Sequence, residues 1–145
     1  MSKAVKKMKE PGSAITHFIG MLMALFAATP LIIKAMDHPG KTHIVSIAIF
    51  LVSMFLLYTA STTYHTFDVN DRVNKVLRKM DHAMIFVMIA GSYTPICVIV
   101  LGGRQGMILL AIIWSIAIAG ILFIMFWITC PKWLSSVMYI IMGWA

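Results

Sequence analysis

Five long runs of apolar residues, separated by short polar connections, constrain this chain more than any other feature. A helix needs about 20 apolar residues to cross the roughly 30 Å hydrocarbon core of a bilayer. The first run is too long for the apolar part of a signal peptide, about 7–15 residues, so we interpret it as a retained span. The pattern predicts an all-α fold, a polytopic transmembrane helix bundle that forms a single membrane domain over residues 1–145. The runs cover residues of about 14–36, 43–64, 83–101, 107–128 and 133–145.

The composition excludes a water-soluble domain. Hydrophobic residues make up 61% of the chain and charged residues 12%, against about 45–50% and about 25% in soluble domains. The net charge of +7 would suit nucleic acid, but the basic residues flank the apolar runs and no groove-reading or aromatic–basic motif accompanies them. We therefore expect membrane lipids as partners and no nucleic acid.

The distribution of lysine and arginine orients the bundle. If the N-terminus is cytoplasmic, inner segments hold nine of the 12 basic residues and outer segments hold three. Such an excess predicts that the N-terminus is inside the cell. The inner residues are Lys3, Lys6, Lys7, Lys9, Arg72, Lys75, Arg78, Lys79 and Lys132, and the outer residues are Lys34, Lys41 and Arg104.

Two further segments carry structural predictions. In residues 66–80, Val73, Val76, Leu77 and Met80 recur at helical spacing, which predicts a short amphipathic helix lying along the headgroups. The fifth run is still apolar at Trp144, and its length of roughly 20 Å as a helix is too short to cross the bilayer. We therefore expect the sequence to be the N-terminal part of a longer protein.

Polar residues from three runs meet at one depth. Ionisable residues at a membrane span are costly, so each is a functional hypothesis. Ser61 and His65 lie four residues apart, on one helix face and about 6 Å apart along the axis. Imidazole, carboxylate and hydroxyl groups build zinc and proton-transfer sites. The same groups can instead snorkel, cap helices or bond a carbonyl one turn back, and spacing leaves both readings open. The residues at this cytoplasmic depth are Glu10, His17, Ser61, His65, Asp81 and His82.

Several motifs resemble those of one membrane family. The segment 61–65, Ser-Thr-Thr-Tyr-His, resembles the S-x-x-x-H motif of the hemolysin III family, the bacterial branch of the progestin and adiponectin receptor-like proteins. The segments 81–86 and 90–95 look like the family's third-span signature, and Glu10 followed by Thr16-His17 is similar to its N-terminal element. The resemblance implies seven spans, of which five are present, in the bacterial inner membrane with the N-terminus in the cytoplasm.

The resemblance also implies a zinc site near the cytoplasmic side. His65 matches one ligand, and two more histidines are expected in an H-x-x-x-H motif on the seventh span. Ser61 and Asp81 match catalytic residues close to the metal, and we place Glu10, His17 and His82 around them as supporting residues. This sequence contains no H-x-x-x-H. Because zinc needs three or four protein ligands, we expect zinc in the full-length protein but not tight binding by this segment alone.

Three functions follow as hypotheses. The first is a zinc-dependent hydrolase of a lipid amide or ester, as in the wider superfamily that includes the alkaline ceramidases. The second is a receptor-like sensor or membrane-homeostasis factor with a structural zinc. The third is a cytolytic, hemolytic membrane protein, although apolar spans offer few polar stripes to line a channel. The lipid substrate or ligand, the enzymatic status and the oligomeric state stay open at the level of sequence.

Overall fold

The computed structural model describes residues 8–126 and 132–144, and every regular element in these two ranges is a helix. The predicted all-α fold is confirmed. The predicted ends of the fourth run at 128 and of the fifth at 145 lie outside the described residues. In chain order the elements are α1 (Pro11–Met36), α2 (Thr42–Thr66), α3 (Asp71–Pro95), a π-helical segment (Ile96–Leu101), α4 (Gly103–Phe126) and α5 (Lys132–Gly143).

Within residues 8–126 and 132–144, four segments are long and apolar enough to cross a membrane. They are α1, α2, α4, and α3 taken together with the π-helical segment that continues it. The fifth helix, α5, is apolar but has only 12 residues. Large apolar side chains such as Phe26, Val100 and Phe126 are more than three-quarters exposed, as expected when lipid rather than water surrounds the bundle.

Hydrogen bonds between helix ends show that neighbouring helices run antiparallel. The Glu10 N–H, just before α1, donates to the carbonyl of His65 in the last turn of α2 at 3.0 Å. The Lys79 amine, early in α3, donates to the Met125 carbonyl near the end of α4 at 2.6 Å. The starts of α1 and α3 therefore lie at the same end as the ends of α2 and α4. We call this the basic end, and it is the end that the charge distribution predicts to be cytoplasmic.

Helix α3 begins far earlier than the third apolar run. The Asn70 side chain accepts a hydrogen bond from the Val73 N–H at 2.9 Å and so caps the helix at Asp71. The helix then continues without a break to Pro95. The separate interfacial helix predicted within residues 66–80 is therefore wrong. Residues 71–80 contain neither Pro nor Gly, so nothing interrupts the helical hydrogen bonds where the polar turns join the apolar ones.

The end of α3 changes helix type at a proline. Pro95 has no N–H to donate, and beyond it the chain forms a π-helical turn in which the Gly102 N–H bonds the Cys97 carbonyl at 3.0 Å. Gly102 and Gly103 then adopt φ of 58° and 54°, a backbone region that glycine enters readily. A Cβ on Gly106 would overlap the Cys97 carbonyl, so this glycine lets α4 start against the π-helical segment.

The core lies between α3, α4 and α5. Phe86 is fully buried, and a Cβ on Gly120 would overlap its ring, so the glycine makes room for the aromatic side chain. Tyr139 of α5 meets Phe86 edge-on with ring centroids 4.7 Å apart, and its hydroxyl donates to the His82 carbonyl at 2.9 Å. This packing fixes the part of α3 that carries Asp81 and His82.

Candidate functional site

A side-chain contact at the basic end joins Glu10, just before α1, to His65 of α2. Glu10 Oε2 lies 2.8 Å from His65 Nδ1. Because an ionised carboxylate only accepts hydrogen bonds, Nδ1 carries a proton, and in the neutral ring Nε2 then carries the lone pair. A carboxylate that holds an imidazole in this way is the usual outer partner of a metal-binding histidine.

A second histidine packs against the first. The rings of His17 and His65 lie parallel within 5°, with centroids 5.5 Å apart. Tyr58 flanks His17 from α2, with ring centroids 6.0 Å apart. The Tyr58 ring can lie against α1 because Gly20 has no side chain, and a Cβ there would come within 2.7 Å of the ring. Glu10, His17 and His65, which the sequence predicts to share one depth, therefore form one contiguous group.

The remaining predicted residues lie at the same end but outside this group of contacts. Ser61 is buried on α2, one turn before His65. Asp81 is 9% exposed, and its Oδ2 lies 3.6 Å from His82 Nδ1. That nitrogen donates to the Arg78 carbonyl at 2.9 Å. Within the described residues, no hydrogen bond or ion pair joins Asp81 to Ser61 or to His65. The roles of all six residues stay predictions.

An apolar cavity of about 350 Å³ lies between α1 and α2, at the depth of the two stacked histidines, although neither histidine lines it. Its wall includes Ala14 and Phe18, which flank His17 in sequence, and Thr62 and Thr66, which flank His65. The Thr62 hydroxyl is buried and has no hydrogen-bond partner in the part of the chain that the structure describes. A buried hydroxyl without a partner costs free energy, but its burial also keeps it out of reach of a molecule in the cavity, so the wall is mainly apolar. Met8, Ile15, Thr63 and Phe67 complete the lining.

Whether these residues can bind zinc depends on how many donor atoms they present and on how those atoms are oriented. His65 presents Nε2 with a fixed tautomer, which suits one zinc ligand. However, residues 8–126 and 132–144 hold no group of three His, Cys, Asp or Glu side chains that would bind a metal ion. A zinc ion needs three or four protein ligands. The described part of the chain therefore supplies one oriented ligand and does not form a zinc site by itself.

Sequence reasoning missed the aromatic residues around the histidines. Tyr58 precedes His65 by seven residues, two helical turns, and so shares its face of α2. Gly20 follows His17 by three residues on α1. These spacings could have indicated that the aromatic ring and the glycine share the helix faces of the two histidines. Tyr64 was also missed: its ring lies 4.9 Å from that of His65 and 3.8 Å from the Lys9 amine.

The fold and the polar group at its basic end define a polytopic α-helical membrane protein with ionisable residues at the edge of its spans. Residues 5–145 match the family model described as Haemolysin-III related. The chain belongs to this family, and the resemblance inferred from its motifs is confirmed.

Two relatives of this chain have names that agree with the family. The chain is 42% identical over 144 residues to "Hemolysin-3" of Bacillus cereus, across 99% of this chain and 64% of the relative. It is 42% identical over 136 residues to "Hemolysin-3 homolog" of Bacillus subtilis (strain 168), across 94% of this chain and 63% of the relative. The chain thus spans slightly less than two thirds of the length of these relatives.

Proposed function

We propose that the full-length protein is a zinc-dependent membrane hydrolase that acts on a lipid amide or ester at the cytoplasmic side. One observation carries the proposal: the Glu10 carboxylate lies 2.8 Å from His65 Nδ1. This contact leaves Nε2 with the free lone pair of the neutral ring, which can bind a metal ion. In this proposal the further zinc ligands come from residues outside the present sequence.

Each polar residue then has a chemical task. His65 binds through Nε2, and Glu10 holds its ring in the required tautomer. Asp81, nearly buried, orients a water molecule or accepts its proton, and Ser61 donates a hydrogen bond to the carbonyl oxygen of the substrate. Zinc, when bound, supplies acidification of water at neutral pH. His17 and His82 support the positions of these side chains.

The apolar cavity supports a lipid as substrate. Its volume of about 350 Å³ and its apolar wall suit part of an acyl chain. It lies at the depth of His17 and His65, so a lipid held there would bring its polar linkage close to the basic end.

Replacement of His65 tests the proposal. In full-length protein reconstituted in lipid, we expect His65→Ala to abolish zinc retention, measured by elemental analysis. We expect it to reduce release of fatty acid from long-chain lipid amides and esters by more than the roughly 10–100-fold that loss of a supporting residue costs. His38→Ala is the matched control, because His38 is exposed and stacks on His43 between α1 and α2, at the opposite end of the bundle. Wild-type hydrolysis in His65→Ala would contradict the proposal, as would an equal loss in both variants.

A cytolytic function is the second candidate, favoured by the names of the two relatives. The polar side chains buried in the described spans are few: Ser46 and Ser53, for example, donate back to carbonyls of α2 at 2.8 Å. Such a wall offers little to line an aqueous pore. If release of a trapped dye accompanies reconstitution of His65→Ala as strongly as of the wild type, cytolysis independent of hydrolysis becomes the better account.

A further inference from the structure

A second cavity, of about 270 Å³, opens at the basic end beside the Glu10–His65 pair. Lys9 and Tyr64, the neighbours of Glu10 and His65 in sequence, form one side of its wall, and the first two turns of α3 form the other. Unlike the apolar cavity between α1 and α2, this one is lined mostly by charged and polar side chains. The lining residues are Lys9, Tyr64, Asp71, Asn74, Lys75 and Arg78.

The arrangement of these residues follows from helix geometry. The four residues from α3 lie at i, i+3, i+4 and i+7 and therefore project from one face. Lys9 reaches this face from the start of α1, where its N–H bonds the Thr66 carbonyl at 3.5 Å and its amine lies 3.8 Å from the centre of the Tyr64 ring. Three cations thus converge from two parts of the chain on one cavity.

Among the described residues, these cations have no anionic partners. In the ranges that the structure describes, neither Lys9, Lys75 nor Arg78 forms an ion pair. Lys79, on the same turns of α3, differs because its amine is bonded to the Met125 carbonyl. Asp71 is the single carboxylate in the lining, so the cavity carries an excess of two positive charges. Like charges brought together at a membrane edge repel one another unless an anion joins them.

We propose that this cavity binds the phosphate of an anionic phospholipid from the cytoplasmic leaflet. Lys9, Lys75 and Arg78 pair with the phosphate oxygens, and the Asn74 amide donates to them. A lipid is the source of the phosphate because apolar residues of the same turns of α3, Val76 and Met80, are 50% and 45% exposed. The cavity therefore lies at the boundary between the headgroups and the hydrocarbon. The proposal concerns binding alone and does not rest on the proposed hydrolysis.

Substitutions of two basic residues of the cavity, Arg78 and Lys75, test the site. For the protein in detergent, native mass spectrometry compares binding of phosphatidylglycerol with that of phosphatidylcholine at equal acyl chains. We expect the wild type to prefer phosphatidylglycerol and Arg78→Gln to lower this preference about fivefold, the effect of one basic residue near anionic lipid. Lys75→Gln should act in the same way, and it carries the test if Arg78→Gln does not fold.

Arg72→Gln is the matched control. It removes one positive charge from the first turn of α3. Arg72 is exposed, as Arg78 is, but it does not line the cavity, so we expect the lipid preference to stay at the wild-type level. If Arg72→Gln and Arg78→Gln lowered the lipid preference equally, diffuse surface charge would explain the binding and the proposed site would be wrong. Displacement of phosphatidylglycerol by inorganic phosphate at matched ionic strength would identify a free phosphate as the ligand and contradict the proposal that the ligand is a lipid. Equal binding of the two lipids by the wild type would also overturn it.

Discussion

Glu10 precedes the first turn of α1, yet it makes two contacts with the last turn of α2. Its N–H bonds the His65 carbonyl at 3.0 Å, and its carboxylate accepts from His65 Nδ1 at 2.8 Å. The backbone hydrogen bond does not depend on the side chain at position 10. Substitutions of Glu10 therefore change the environment of the imidazole while the helix ends stay joined.

We expect Glu10→Ala to change the tautomer of His65. With the carboxylate present, the neutral ring keeps its proton on Nδ1, because that nitrogen must donate. Without it, the proton redistributes between Nδ1 and Nε2. Nitrogen-15 spectra of histidine-labelled protein at alkaline pH measure this redistribution directly, and no zinc or substrate is needed.

Glu10→Gln serves as the control, because the amide oxygen can still accept from Nδ1. We expect the wild-type tautomer in this variant. The Glu10 side chain is 50% exposed, so both variants should lower the free energy of unfolding by no more than about 1 kcal/mol. An unchanged His65 spectrum in Glu10→Ala would mean that the carboxylate does not orient the ring.

At the scale of the helices, close approach depends on small residues. Gly91 of α3 faces Ser53 of α2, both are buried, and a Cβ on Gly91 would overlap the serine side chain. In lipid, apolar side chains gain little by leaving the solvent, so helices associate through such close packing. The contact of α2 with α3 holds the helix that carries His65 against the one that carries Asp81.

Gly91→Ala should therefore separate α2 from α3. We expect a loss of about 1–3 kcal/mol in the free energy of unfolding, the usual effect of overpacking a close contact. Thermal unfolding in detergent measures it as a lower Tm. Ser53→Gly in the same chain should restore part of the loss, because it removes the atoms that the new methyl group meets.

Gly12→Ala is the corresponding control. This glycine lies in the first turn of α1, and a Cβ there would meet nothing within 4 Å. Alanine is the better helix former by roughly 0.5–1 kcal/mol, so Gly12→Ala should leave Tm unchanged or raise it. Equal destabilisation by both substitutions would indicate that close packing at Gly91 is not the cause.

The helices also show which features the sequence can predict. Long apolar runs predict the fold because each span must satisfy its own backbone in lipid. The start of α3 was not predicted. The charged residues Arg78 and Lys79 precede the apolar run, but they lie within the helix. The sequence predicted that Glu10 and His65 lie at the same depth in the membrane, but not that they contact each other. The two residues are 55 apart in sequence, and helical periodicity carries no information about contacts between helices.

For the whole molecule, contacts in the structure define the two ends of the bundle, and the charge distribution independently predicts which end is cytoplasmic. Hydrogen bonds place Lys9 and Lys79 at one end of the bundle, and the cavity lined by Lys9 and Arg78 lies at the same end. The stacked rings of His38 and His43 mark the connection at the other end. Contacts within the bundle define these ends but not which of them faces the cytoplasm. The orientation rests on the excess of lysine and arginine at the basic end.

Labelling of single cysteines tests this orientation. In right-side-out membrane vesicles, with the two native cysteines replaced by alanine, we expect a membrane-impermeant maleimide to label Thr42→Cys without permeabilisation. We expect it to label Val69→Cys only after permeabilisation. Thr42 begins α2 near the stacked histidines, Val69 lies between α2 and α3 at the basic end, and both are exposed. The opposite pattern would place Glu10 and His65 outside the cell. The lipid of the cytoplasmic leaflet could then not reach the cavity formed by Lys75 and Arg78, so one experiment bears on both proposed sites.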